Sequence, residues 1–140
     1  MINLKYAMLP AVLLSLSACD SEAEQKADAT EDRIEQQADA SAAAAGSEIA
    51  ALGLNEAQLL DADLMAADGT DMGDIEQVRR NAAGDVEGFL VELEDNDPDR
   101  YVVVMLDGLT TRADGDDTDL QTTMTAVEIA ALPDAQLETM

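Results

Sequence analysis

VEGFLVEL at Val86–Leu93 and YVVVML at Tyr101–Leu106 are the runs that decide the fold. Side chains of a strand alternate between its two faces. On the first run Glu87, Phe89, Val91 and Leu93 share one face, and Val86, Gly88, Leu90 and Glu92 share the other. The second run is apolar almost without a break and is bounded by turn residues, as a central strand is. Working outward, Met72–Arg80 reads as a strand carrying Ile75 and Val78, and Asn81–Asp85 with Gly84 is its hairpin connection to Val86. Leu64–Ala66 is a shorter strand closed by Asp68-Gly69. After a polar turn at Asp114–Asp119, Leu120–Thr123 is the last strand. A short helix is expected over Leu52–Leu60, capped by Asn55 with Glu56 in its first turn. Thr125-Ala-Val-Glu128 has capping-box spacing and opens a helix through Ala131 that stops near Pro133. Short strands at close spacing make the fold mainly β, a small barrel or sandwich flanked by two short helices.

The whole chain has 140 residues, enough for one domain. Aromatic residues are almost absent. Tyr6 precedes the domain, so Phe89 and Tyr101 are its large rings and the rest of the core is aliphatic. Met65, Met72, Met105 and Met124 lie on separate strands and read as core filler, with no clustering for a copper site. The charge balance is extreme, with 31 acidic and 7 basic residues and a net charge of −24. Such a surface repels nucleic acid and anionic headgroups, so no nucleic-acid partner is expected. Charged partners should be basic proteins or cations. There is no histidine and one cysteine. Internal disulfides, Cys/His metal sites and Ser-His-Asp or Cys-His catalysis are therefore excluded. Carboxylate pairs are too numerous here to carry information, and neither an enzyme nor a cofactor is expected.

Met1–Tyr6 carries one positive charge, Lys5, and Ala7–Leu16 is apolar but too short to span a bilayer. Leu16-Ser17-Ala18-Cys19 follows, and resembles the lipobox of bacterial lipoproteins. The resemblance implies that residues 1–18 are a signal peptide, that cleavage falls after Ala18, and that the Cys19 thiol carries diacylglycerol. Each buried methylene of the acyl chains contributes about 0.8 kcal/mol, so such an anchor is stable. Asp20 resembles an inner-membrane retention signal, which slightly favours that membrane. The expected location is the cell envelope, lipid-anchored and facing the periplasm. Loss of Lys5 with the signal makes the net charge one unit more negative. Residues 19–50 are rich in Ala, Glu, Asp, Gln and Ser, and from Asp20 to about Ser47 Ile34 is the one large apolar side chain. A segment that buries so little cannot offset its ordering entropy, so this stretch is expected to be a disordered, acidic tether, with transient helix around Thr30–Ala45 from its Ala and Glu content. The domain is expected over residues 51–140, with its core at about residues 61–135.

The order of elements resembles the PRC-barrel family, which includes the soluble domain of the photosynthetic reaction-centre H subunit and a domain of a ribosome-maturation factor. Ala67-Asp68-Gly69 with Met72-Gly73-Asp74-Ile75-Glu76 is similar to the family's first hairpin. Asn81–Gly84 with Val86-Glu87-Gly88-Phe89-Leu90-Val91 resembles the next. Tyr101–Asp107 resembles its central strand, and Met124–Glu128 through Leu132-Pro133 its closing helix. The match spans roughly residues 61–135. It implies a small PRC-type β-barrel used for macromolecular association, with no shared catalytic residues. The chain departs from the family between the third and fourth strands, where many envelope members carry a Gly-rich loop. Here Glu94-Asp-Asn-Asp-Pro-Asp-Arg100 takes its place.

That loop is the candidate interaction surface, through Glu94, Asp95, Asp97, Asp99 and Arg100. Asp95, Asp97 and Asp99 alternate like the first ligands of a Ca²⁺ loop, but the sixth and twelfth places hold Arg100 and Leu106 instead of Gly and Glu, so an EF-hand is rejected. The expected function is a lipid-anchored module that binds or scaffolds an unidentified envelope protein. The alternative is an acidic protein holding Ca²⁺ or Mg²⁺ weakly in its Asp-rich turns, which include Asp114, Asp116, Asp117 and Asp119. Arg79-Arg80 is expected to meet an acidic neighbour. The sequence leaves the oligomeric state open.

Overall fold

A computed structural model describes residues 22–96 and 98–137. The chain is mainly β, with one long helix before a mixed sheet and a short helix after it. Helix α1 is Glu22–Ala45. It is followed by the small ladder β1 (Ile49–Ala51) and β2 (Leu54–Asn55), then helix α2 (Glu56–Leu60). The main sheet comprises β3 (Asp63–Met65), β4 (Asp71–Arg80), β5 (Val86–Leu93), β6 (Arg100–Met105), β7 (Leu109–Asp114) and β8 (Asp117–Thr122). Helix α3 (Ala126–Ala130) closes the fold. The strand order is β6-β5-β4-β3-β8-β7, antiparallel except for the parallel β3–β8 pair.

Both short helices start where their caps put them. The Asn55 side chain accepts from the Gln58 amide while the Gln58 side chain accepts from the Asn55 amide. Thr125 and Glu128 make the same reciprocal pair. Each box satisfies two amides that the first turn leaves free. In the β4–β5 connection, Asn81 Oδ1 accepts from the amides of Ala83 and Asp85, and Gly84 has φ of +89°. Gly73 has φ of +140°, and a Cβ there would collide with the Glu92 carbonyl oxygen, so β4 can cross β5 this closely only with glycine.

Strands β6 and β7 are consecutive, yet they lie at opposite edges of the sheet. Only Leu106–Gly108 joins them. That link reaches at most about 14 Å. The edges of a flat sheet of this width would lie about 24 Å apart. The sheet must therefore curl until its edges approach. It does not close: no ladder joins β6 to β7 among the described residues. The chain's own tail occupies part of the β6 edge instead. Val102 bridges Asp134, and the Ala135 amide donates to the Tyr101 carbonyl at 2.8 Å. The expected closed barrel is thus an open, curled sheet. The polar turn expected at Asp114–Asp119 shrinks to Gly115-Asp116 between two paired strands, with Asp114 opposite Asp117. Strand β7 was not legible because five of its six residues are exposed and only Leu109 is buried.

The concave side of the sheet holds the main core. Phe89, Val91, Ile75, Leu64, Leu120 and Val102 pack there with Leu59 and Ile129 from the short helices. The opposite face of β5 and β6 is also apolar, at Leu90, Tyr101 and Val103, and Ile34 of α1 packs onto it together with Ala135 and Leu137. This corrects the expected disordered tether. Residues 22–45 are helical because Ala, Glu and Gln favour helix and because docking Ile34 and Ala38 buries them. Gln77 Nε2 donates to Gln37 Oε1 at 3.3 Å and adds a polar contact. The helix packs on the domain it was expected to suspend.

If Ile34 anchors α1, Ile34→Ala should lower stability by about 2–5 kcal/mol and speed amide exchange throughout α1. Thermal unfolding and hydrogen exchange by mass spectrometry measure both. Unchanged exchange in α1 would mean that Ile34 does not hold the helix.

Candidate functional site

Cys19, its signal residues Leu16, Ser17 and Ala18, and Asp20 lie outside the described residues, as does Asp97. The remaining residues of the candidate interaction loop are placed as follows. Glu94, Asp95 and Asp99 are exposed. Asp95 has φ of +60°, and the Asn96 amide group ties the loop by donating to the carbonyls of Leu93 and Glu94. Arg100 turns inward. Its Nε donates to Asp134 at 2.6 Å, and its two amino groups donate to the carbonyls of Ala130 and Leu132. This arginine caps the end of α3 and pins the tail, so its guanidinium does not face a partner. Among the described residues no three carboxylates converge as metal ligands, in either Asp-rich turn or elsewhere. The basic pair splits. Arg80 pairs with Glu56 at 2.7 Å, which leaves no buried unpaired charge on that side, and Arg79 faces the pocket under α1 with Arg33 and Gln37.

The register assembles a different feature. On the face of the sheet that α1 partly covers, Glu92 of β5 lies opposite Asp74 of β4, and Asp74 lies opposite Asp63 of β3. Leu64 pairs with Leu120, so Asp63 has Asp119 of β8 beside it. Four carboxylates therefore stand in one row across four adjacent strands. Tyr101 lies opposite Glu92 at one end and Arg112 opposite Asp119 at the other. Directly opposed positions on neighbouring strands place Cβ atoms roughly 5 Å apart, where like charges repel.

Two of the four, Asp63 and Asp74, line a groove. Asp63, Asp74 and Glu76 come from β3 and β4, Leu60 and Asp61 from the end of α2 and its cap, and Glu35, Ala38 and Asp39 from α1. The cavity is about 440 Å³, and every charged side chain lining it is acidic. The crowding is visible in the protonation equilibria. Burial pushes the Asp63 carboxyl up to about 6, helped by a hydrogen bond with Asp74 and by the charges of Asp71, Asp74 and Asp119. Burial likewise pushes Glu76 up to about 7, with Glu92, Asp74, Glu35 and Glu31 adding repulsion. Glu92 is also raised, chiefly by burial, although the Tyr101 hydroxyl donates to it and opposes the rise. The Tyr101 phenol is held protonated by burial and by the charge of Glu92.

Asp119 differs from the others. It is 4% exposed, and its Oδ2 is buried without a hydrogen-bond partner. A buried carboxylate oxygen lacking a donor is costly. Sequence reading missed this row because it depends on which strands are neighbours, and β3–β8 pairing joins segments far apart in the chain. The one local signal was an acidic residue on the non-core side of each strand: Asp63 beside Leu64, Asp74 beside Ile75, Glu92 beside Val91 and Asp119 beside Leu120. Chemically, the arrangement favours cationic groups. No protein-family model matches this chain, and no curated protein does.

The raised carboxyls set the sign of the pH dependence. Asp63 and Glu76 hold protons more tightly in the folded state than in the unfolded chain. Their stabilising protonation is present at low pH and is lost as pH rises through about 6 and about 7. The thermal midpoint should be higher at about pH 5 than at about pH 8, and Glu76→Gln should raise the value at the higher pH and flatten the slope. A midpoint that falls on acidification across this window would contradict the assignment.

Proposed function

We propose that this chain is a lipid-anchored protein of the bacterial cell envelope whose PRC-barrel-like domain binds or scaffolds another protein at the periplasmic surface. Cys19 at the end of Leu16-Ser17-Ala18-Cys19 is the acylated residue, and Asp20 favours the inner membrane. The curled sheet with consecutive strands at its two edges, and the closing helix after a capping box, support the family reading. The observation that carries the binding role is the acidic groove between α1 and β4. It is concave, and every charged side chain lining it is acidic. Carboxylates crowded at the expense of folding stability are what a site serving a partner retains.

Membrane fractionation and in-cell cross-linking test the two halves separately. Cys19→Ser should move the protein from the membrane to the soluble fraction, and retention in the membrane would overturn the anchoring. Cross-linking followed by mass spectrometry of the wild type should recover one dominant envelope protein. Recovery of none would overturn the scaffold role.

A further inference from the structure

We propose that α1 is a releasable strap, seated on the sheet in acid and lifted from β4 and β5 as the carboxyls along its edge become charged. Release uncovers the apolar face at Leu90, Tyr101 and Val103. The proposal needs neither the anchor nor the partner proposed above. Its basis is the make-up of the seam. The apolar part is narrow: Ile34 and Ala38, one turn apart, are buried, and Ile34 packs on Leu90 and Tyr101. On one flank Glu31 and Glu35 of α1 act on Glu76 of β4, together with Glu92 of β5 and Asp74 of β4 itself. Asp39 of α1, Asp63 of β3 and Asp61 after α2 line the same groove as Glu76, and Asp99 acts on Glu31 from the β5–β6 loop. On the other flank Arg33 of α1 and Arg79 of β4 line one cavity with Gln37 and Gln77. The ion pairs of this fold join Arg80 to Glu56 and Arg100 to Asp134, away from that cavity. Both flanks therefore set like charge against like charge across the seam.

The acidic flank gives the sign. Seating α1 buries Glu76 and brings Glu31 and Glu35 against it, and that burial and crowding push its carboxyl up to about 7. Glu92 and Glu31 are also raised, each chiefly by burial. A carboxyl that holds its proton more tightly beneath the seated helix favours the seated state at low pH, and this preference is lost as pH rises through about 7. Arg33 and Arg79 stay charged throughout, so the basic flank does not change with pH. Salt acts in the same sense as acid: it screens repulsion on both flanks and seats the helix more firmly, the reverse of a helix held by ion pairs. The domain can outlast release because its main core, around Phe89, Val91, Ile75, Leu64 and Leu120, contains no residue of α1.

Hydrogen exchange by mass spectrometry on the full-length protein in an uncharged detergent tests the strap, with rates corrected for the intrinsic effect of pH. Between about pH 5.5 and about pH 8 the protection of α1 amides should fall about tenfold or more, the ratio that corresponds to one pKa unit between the seated and released states. At about pH 8 the β5 amides should remain about a hundredfold or more better protected than those of α1. Glu76→Gln should keep α1 protected at about pH 8, and so should about 0.5 M NaCl in the wild type. Arg33→Gln, on the other flank, should leave the fall with pH in place. Circular dichroism establishes that each variant is folded, and Glu35→Gln, which removes a facing charge from α1 itself, replaces Glu76→Gln if the latter does not fold. Protection of α1 that is independent of pH would overturn the strap. So would exchange of α1 and β5 at one common level, a fall that persists in the glutamine variant or is lost in Arg33→Gln, or a loosening of α1 by salt.

Discussion

A strand that is apolar on both faces has to be covered twice. Phe89 and Val91 point one way from β5, and Leu90 points the other. The concave side is covered by the sheet curling on itself around Leu64, Ile75 and Leu120. The convex side has no second sheet, and the chain meets it with two segments from its opposite ends. Ile34 arrives from the N-terminal helix, and Ala135 and Leu137 from the tail. The tail is held by Arg100 and by pairing with β6, so the same contact that covers Tyr101 also blocks closure of the sheet. Much of the architecture follows from that second apolar face.

How much was legible in the sequence depended on the range of each interaction. The two capping boxes are fixed by residues three apart, and the Asn55 and Thr125 helices begin where that spacing says. The β4–β5 hairpin is likewise local, with Asn81 and Gly84 making its turn. The helical tendency of α1 was legible over Thr30–Ala45, but its docking was not, because its apolar stripe amounts to Ile34 and Ala38 and its docking partner lies more than fifty residues away at Leu90. A one-residue anchor has meaning only once the exposed face it fits is known. Arg100 looked like a loop residue because its neighbours are acidic, yet its partners are carbonyls of α3 and the tail. The carboxylate row depends on strand order, which single-strand patterns do not encode.

Helix and sheet are at once matched and opposed. The seam between them is apolar at Ile34 and polar at Gln37, while Glu31 and Glu35 face Glu76 and Glu92. Burial of a large aliphatic side chain contributes about 1.5–3 kcal/mol, enough to hold a helix that is already inclined to form. The repulsion is partly relieved by protonation of Glu76, whose carboxyl titrates near neutrality. The attachment of α1 is thus sensitive to the protonation of these carboxyls.

The docked helix also changes how the domain would stand at a membrane. Only Asp20 and Ser21 separate Cys19 from the first residue of α1. A flexible leash of about 28 residues would let the domain roam over roughly 30 Å. With α1 laid against the sheet, an anchor at Cys19 leaves almost no leash. The domain would ride close to the lipid surface with limited choice of orientation, and the groove beside α1 would be offered at a nearly fixed height and heading. A partner proposed for this domain would then have to present its binding segment at that same height, because encounter within the membrane plane replaces a three-dimensional search.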